Sequence, residues 1–383
     1  MLKVTEDIFY IGVDDTDIDL FEGQYAVPYG VSYNSYLCID DKIAVFDTVD
    51  KSKTESWLSS LDAALNGAKP DYLIISHMEP DHAASIPAFL ERYPSASVVG
   101  NDKTFIILDR FFKDLSLNKL IVKDGGVLNL GSHNLTFMLA PMVHWPEVMM
   151  CYDQTDKVLF SADAFGKFGA LSHKEDWLDE ARRYYINIVG KYGNPVQSVL
   201  KKAADLDIKT ICPLHGPVLC GNLEFYLNKY DLWSRYMPEE DGVFIAYASI
   251  YGNTAKAAEK LLNKLTLCGV KAEIADLNRC YLSQAASTAF KYSKLVVASV
   301  TCDGGIMPCA ETFINKLKAK NFCQRTVGFI ENGSWAPSAA KTMRLTFESF
   351  KDISFCSNTV TVNSALDETC LRQINALAEE LAK

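Results

Sequence analysis

The sequence predicts two folded units in series: an α+β layered domain over residues 1–240, then an α/β domain with a doubly wound parallel sheet over residues 241–383. Three observations predict it. At 383 residues the chain is too long for one ordinary core. Its first part reads as short strands with helices among them, and its last part as strict β/α alternation. Between the two, Met237-Pro238-Glu239-Glu240-Asp241-Gly242 is polar and helix-breaking, as a linker would be.

Composition narrows the function classes. Hydrophobic content of 49% with 22% charged residues is that of a soluble globular protein. No run is long enough to span a bilayer and Met1-Leu2-Lys3-Val4-Thr5 opens no signal peptide, so a cytoplasmic protein without a membrane partner is expected. A net charge of -10 without a basic stripe argues against nucleic acid as a partner. Eleven cysteines form no C-x-x-C pair, and most stand in apolar surroundings, as Cys38, Cys212 and Cys356 do. Buried reduced thiols follow, rather than cysteine-held metal.

In the first domain, residues 8–13, 35–39 and 43–47 have strand length and composition, and helical periodicity appears at 52–65 and near 105–115. The organising stretch is Ser76-His77-Met78-Glu79-Pro80-Asp81-His82, which places four metal-ligand types directly after the apolar run 72–75. In extended backbone His77, Glu79 and Asp81 point the same way, and His82 sits where the chain turns into an Ala-rich helix. Three later strands end in the same manner. Residues 135–140 lead into Pro141-Met142-Val143-His144-Trp145-Pro146, residues 158–161 into Ala162-Asp163-Ala164, and residues 209–212 into Pro213-Leu214-His215-Gly216. Any one of these is an ordinary turn residue; four at matching strand ends make a set. His133 and His173 fall in polar loops without partners and receive no role.

Four imidazoles (His77, His82, His144, His215) and three carboxylates (Glu79, Asp81, Asp163) are too many for one four-coordinate zinc. Divided as His77/Glu79/His144 and Asp81/His82/His215 with Asp163 bridging, they hold two ions about 3.5 Å apart. Two histidines and one carboxylate per ion, with room for an exogenous ligand, is the environment of non-haem iron that meets oxygen.

The second domain has strand patterns at about 243–248, 271–276, 294–300, 325–331 and 355–362. A ligand belongs at their carboxyl ends. The first end carries Ser249-Ile250-Tyr251-Gly252-Asn253-Thr254, a phosphate cradle of hydroxyls and helix N-terminal amides. The others offer Thr301-Cys302-Asp303-Gly304-Gly305 and Asn332-Gly333-Ser334-Trp335, suited to flank a flat ring.

The pattern H-x-[EH]-x-D-H with later His, Asp and His is similar to the metallo-β-lactamase αββα sandwich, whose hydrolases usually have histidine where this chain has Glu79. A hard anionic ligand there favours iron over zinc. With the words Gly30-Val31-Ser32-Tyr33-Asn34-Ser35-Tyr36-Leu37, Ala140 to Pro146 and Ser161 to Gly166, the chain resembles the flavodiiron proteins over roughly residues 3–380. Its second half resembles flavodoxin, which binds FMN at these three loops; Cys302 stands where relatives often carry an aromatic residue.

The resemblance implies a two-iron centre recharged by FMN, reduction of O2 to water or of NO to N2O, and a head-to-tail homodimer or dimer of dimers. No rubredoxin-type cysteine pairs follow the flavodoxin part. The resemblance therefore implies a separate electron donor, a rubredoxin-like protein or a reduced flavin- or nicotinamide-linked reductase. Tyr184, Tyr185, Trp145 and Glu22 are candidates to line the gas pocket. The competing reading is a zinc-dependent hydrolase joined to a flavodoxin electron carrier.

Overall fold

The computed structural model describes residues 2–383, which divide into two compact units, one ending at Asp231 and the other spanning Leu232–Lys383. In the first unit a seven-stranded sheet runs in the order Leu2–Lys3, Ile8–Tyr10, Tyr36–Cys38, Ala44–Phe46, Tyr72–Ile74, Ser97–Gly100, Asn118–Ile121. It is antiparallel as far as Ala44–Phe46 and parallel beyond. A six-stranded sheet follows in chain order: Val127–Asn129, Asn134–Leu139, Met149–Asp153, Val158–Phe160, Thr210–Cys212, Leu219–Cys220. Buried side chains of both sheets form one core that includes Ile8, Phe46, Ile74, Phe137, Cys151 and Phe160. Phe46 of one sheet stacks on Phe160 of the other at 3.7 Å between ring centres. The helices Thr54–Leu65, Asp102–Phe111 and Trp177–Ile188 each bury an apolar stripe, giving the layered α+β arrangement predicted from the strand and helix pattern.

Two predicted elements differ in detail. The run 8–13 is not one strand: the backbone turns after Tyr10, and Val13–Asp15 pairs with Val31–Tyr33. The helix predicted near 105–115 begins earlier, because Asn101 caps it through a reciprocal exchange with Thr104.

The second unit is a parallel sheet in the order Ala272–Asp276, Glu240–Ala248, Tyr292–Cys302, Arg325–Asn332, Ile353–Val362. Numbered along this unit the order is 2-1-3-4-5, the flavodoxin-like doubly wound topology. Its central strands are buried along consecutive residues, as helices covering both faces of a parallel sheet require; Val243, Ile245, Val296, Ala298 and Ile330 share one core with Leu261 and Leu377. The stretch read as a linker is partly structured. Glu240, Asp241 and Gly242 already belong to the first strand, and the units divide nearer the chain's start, inside the helix Leu223–Ser234. Trp233 there donates its indole N–H to Glu239 at 2.7 Å.

Arg325 explains why the segment before the strand is held. Its guanidinium is 3% exposed and donates to the carbonyls of Tyr236, Phe290, Tyr292, Cys323 and Gln324. Burial pulls its pKa down to about 10, and no carboxylate pairs with it among the described hydrogen bonds and ion pairs. Arg325→Met should therefore strand several buried carbonyls and destabilise the second unit by about 3 kcal/mol, read as a lower urea midpoint with unchanged slope.

Candidate metal centre and ligand cavity

His77 follows the strand Tyr72–Ile74, and alternation carries Glu79 to the same side. The extended run ends there: Glu79 is the N-cap and Pro80 the first residue of the short helix Pro80–Ala83, which turns Asp81 and His82 onto a different point. Asp47, in left-handed backbone at the end of the neighbouring strand, accepts the amides of Ser76 and His77 at 2.7 and 3.3 Å and fixes the exit angle. His215 is set by Asn34, whose amide donates to the carbonyls of Pro213 and Gly216. Gly216 has φ +76, and a Cβ there would meet Lys167 Cγ at 2.7 Å, so only glycine lets the loop close.

The seven donors meet as two groups of similar make-up. Glu79 Oε2 lies 3.2 Å from His77 Nε2 and 3.1 Å from His144 Nε2. Asp81 Oδ2 lies 3.3 Å from His82 Nε2 and 3.2 Å from His215 Nε2. Asp163 serves both: Oδ2 is 3.4 Å from His77 and 3.0 Å from His144, while Oδ1 is 3.2 Å from His82 and 3.8 Å from His215. His77, His82, His215 and Asp163 have no exposure.

The chemistry of these contacts tests whether a metal fits. His77 Nδ1 donates to Glu147 Oε1 at 2.8 Å and His215 Nδ1 to the Ser32 carbonyl at 2.7 Å, so each ring's Nε2 turns toward the carboxylates with its lone pair or with a second proton. Both oxygens of Asp81 and Asp163, both nitrogens of His82 and Nε2 of His215 are buried without a hydrogen-bond partner. Close approach without hydrogen-bond geometry is how donors stand around a cation, and the donor set fits two ions. Burial would lower the His77 and His144 pKa values, yet Asp163, with Glu147 for His77 and with Glu79 for both, outweighs it. His144 is pushed up to about 9 and His77 well above its usual range. Burial would raise Asp163, but the imidazoles hold it well below.

Trp145 stands edge-on to His77 at 5.2 Å and Tyr184 lies 5.4 Å from His215. Tyr185 packs instead against Tyr230, whereas Glu22, at a hairpin turn, faces the donor groups: partial burial and the Glu79 carboxylate push its carboxyl up to about 7. Neither of the two remaining histidines is without partners. His133 is buried and bonded to Asp153 at 3.1 Å, and His173 stacks on Tyr29 at 3.8 Å. Glu147, Asp47 and Ser32 are the site residues that sequence reading missed. Only Glu147 left a signal, as an acid following Pro146 and opening the wholly buried run 147–153.

In the second unit a cavity of about 760 Å³ opens at the carboxyl ends of three strands. Ser249, Ile250, Tyr251, Asn253, Thr254, Thr301, Asp303, Gly304, Asn332, Gly333, Ser334 and Trp335 line it, joined by Val300, Ala336, Ser338 and Ser364. Ser364 comes from a fourth strand end, beyond Val362, that carried no motif. Gly252 is not in the wall; with φ +86 it caps the fifteen-residue helix Asn253–Leu267 and turns its first amides toward the cavity. Cys302 and Gly305 line a neighbouring cavity of about 290 Å³ instead, because the short hairpin Thr301–Ile306 turns them away. Tyr251 and Trp335 are 90% and 92% exposed at the rim. Volume, helix N-terminus and aromatic rim suit a phosphorylated planar ligand.

Residues 31–216 match the family model described as ODP family beta lactamase, a span containing all seven donors. The chain is 31% identical over 326 residues to a nitric oxide reductase of Moorella thermoacetica, covering 82% of each protein. Among solved structures it resembles rubredoxin oxygen:oxidoreductase from Desulfovibrio gigas, with TM-score 0.92, 26% identity and coverage of 99% of this chain and 97% of the other. The flavodiiron protein of Giardia intestinalis shares the fold at TM-score 0.89 and 24% identity, with 99% and 96% covered.

Metal uptake should release protons. Binding needs neutral imidazole, and His144 holds a proton below about pH 9. The apparent affinity of the metal-free protein for Fe2+ should therefore rise with pH at least up to about 9. Anaerobic titrations at several pH values check this; a flat profile between pH 6.5 and 8.5 counts against it.

Proposed function

Because the chain belongs to the flavodiiron protein family, and is thereby an oxidoreductase with a two-iron centre and FMN, we propose that it reduces dioxygen to water. The observation that carries the proposal is the pair of donor groups sharing Asp163, each offering two imidazoles and a carboxylate. His77, Glu79 and His144 would hold one ion, Asp81, His82 and His215 the other, and Asp163 both. Ser249 to Thr254 would hold the FMN phosphate. Thr301, Asp303 and Gly304 with Asn332 to Trp335 would hold its ring. Two ferrous ions and reduced FMN supply two electrons each, matching the four that O2 needs, while coupling two NO to N2O needs two.

The chain's own residues do the rest. Burial of the imidazoles keeps bulk water from the donors, and Trp145 and Tyr184 wall the site with apolar ring surface. Glu147 and the Ser32 carbonyl fix two rings so that Nε2 faces inward. Electrons would come from a donor protein, as the rubredoxin in the name of the Desulfovibrio relative suggests. Reduction of nitric oxide is a second reading, favoured by the name of the Moorella relative.

Anaerobic stopped-flow of the fully reduced protein with each gas tests this reading. Faster flavin reoxidation by O2 supports the oxygen assignment, faster reoxidation by NO favours the second reading, and inertness to both defeats each. Zinc in place of iron, with esterase or lactamase turnover, would sink the reductase reading altogether. Asp163→Ala should drop gas consumption to background while FMN stays bound. Trp335→Ala should weaken FMN retention about tenfold and leave the iron content unchanged.

A further inference from the structure

We infer that Glu147 is a positioning residue that acts through His77 and makes the ion held by His77, Glu79 and His144 the tighter bound of the two. The inference rests on the two-ion reading above. Its premise is a symmetry that breaks one bond away from the metal. Each group presents two Nε2 atoms, one carboxylate oxygen 3.1 to 3.3 Å from them and one oxygen of Asp163. The direct ligands therefore give both ions the same donor types and the same charge.

What stands behind the rings differs. His77 Nδ1 donates to a carboxylate, Glu147 Oε1, at 2.8 Å, and Glu147 is 1% exposed. The same oxygen accepts the Met78 amide at 3.0 Å, and Asn101 donates to the Glu147 backbone carbonyl at 2.6 Å, so both the carboxylate and the backbone that carries it are fixed. His215 Nδ1 donates to the neutral carbonyl of Ser32, and His82 Nδ1 has no hydrogen-bond partner. Asp47 is another buried carboxylate beside the donor set and its charge reaches His82, but its bonded oxygen is taken by the Ser76 and His77 amides, and no hydrogen bond joins it to His82. A carboxylate behind an imidazole raises the basicity of the opposite nitrogen and locks the ring, more than a carbonyl does. Support through such a hydrogen bond reaches one ion only.

Competition between a ferrous chelator and the 383-residue chain loaded anaerobically with Fe2+ tests the inference, read as iron retained per chain. The unaltered protein should release one ion well before the other. Single-phase loss of both overturns the inference, whereas a chain that never takes up two irons overturns the two-ion reading instead. Glu147→Gln keeps an acceptor for His77 and removes the charge. It should lower the affinity of one ion about 10- to 100-fold and leave the other unchanged, with FMN content and far-ultraviolet circular dichroism intact. Glu147→Asp, which keeps the charge, should restore part of the loss. Equal affinities in Glu147→Gln and the unaltered protein overturn the inference, and so does parallel weakening of both ions. Mössbauer spectra of the unaltered protein decide the case even if the variant fails to fold: two iron species in equal amounts are expected, and a single species overturns it.

Discussion

Carboxylates and imidazole nitrogens that face one another in a buried space are stable only with positive charge among them. That constraint governs the first unit. Asp163 alone touches both donor groups, so the position of its strand end decides whether there are two ion sites or two separate clusters. The surrounding polar groups serve the same end. Asp47 fixes the backbone of His77, Asn34 ties the His215 loop, and Glu147 and Ser32 decide which nitrogen of each ring is offered. Neighbouring carboxylates accordingly hold His77, His82 and His144 above their usual range.

The second unit solves a different problem with different materials. A parallel doubly wound sheet brings all its strand ends to one edge, so a ligand can be held there largely by backbone. Its loops need little more than small residues, hydroxyls and a helix start. The exposed rings of Tyr251 and Trp335 supply flat surface where glycines cannot.

The seven clustered side chains were readable because four apolar strands each lead into reactive residue types, a juxtaposition that composition rarely produces four times by chance. The parallel sheet was readable from its alternation. Glu147, Asp47 and Ser32 escaped because they act through one hydrogen bond to a ring or an amide, and nothing in residue type or spacing announces such a bond. His133 looked like a loop residue, yet pairing with Asp153 makes it part of the core. The turn that takes Cys302 out of the larger cavity depends on a two-residue antiparallel pairing too short to leave a pattern. The division between the units lay hidden inside a helix whose last residues pack with the second unit.

The stack of Phe46 on Phe160 joins the two sheets of the first unit, and each ring ends a strand whose neighbourhood supplies donors. His77 leaves one sheet, whereas Asp163 and His215 leave the other. The spacing of the metal centre is thus an inter-sheet coordinate, set by the thickness of an aromatic pair rather than by the loops that carry the ligands. A slip of one sheet over the other would separate the donors while leaving every backbone ladder intact, so the hydrocarbon interior acts as the gauge block of the inorganic site.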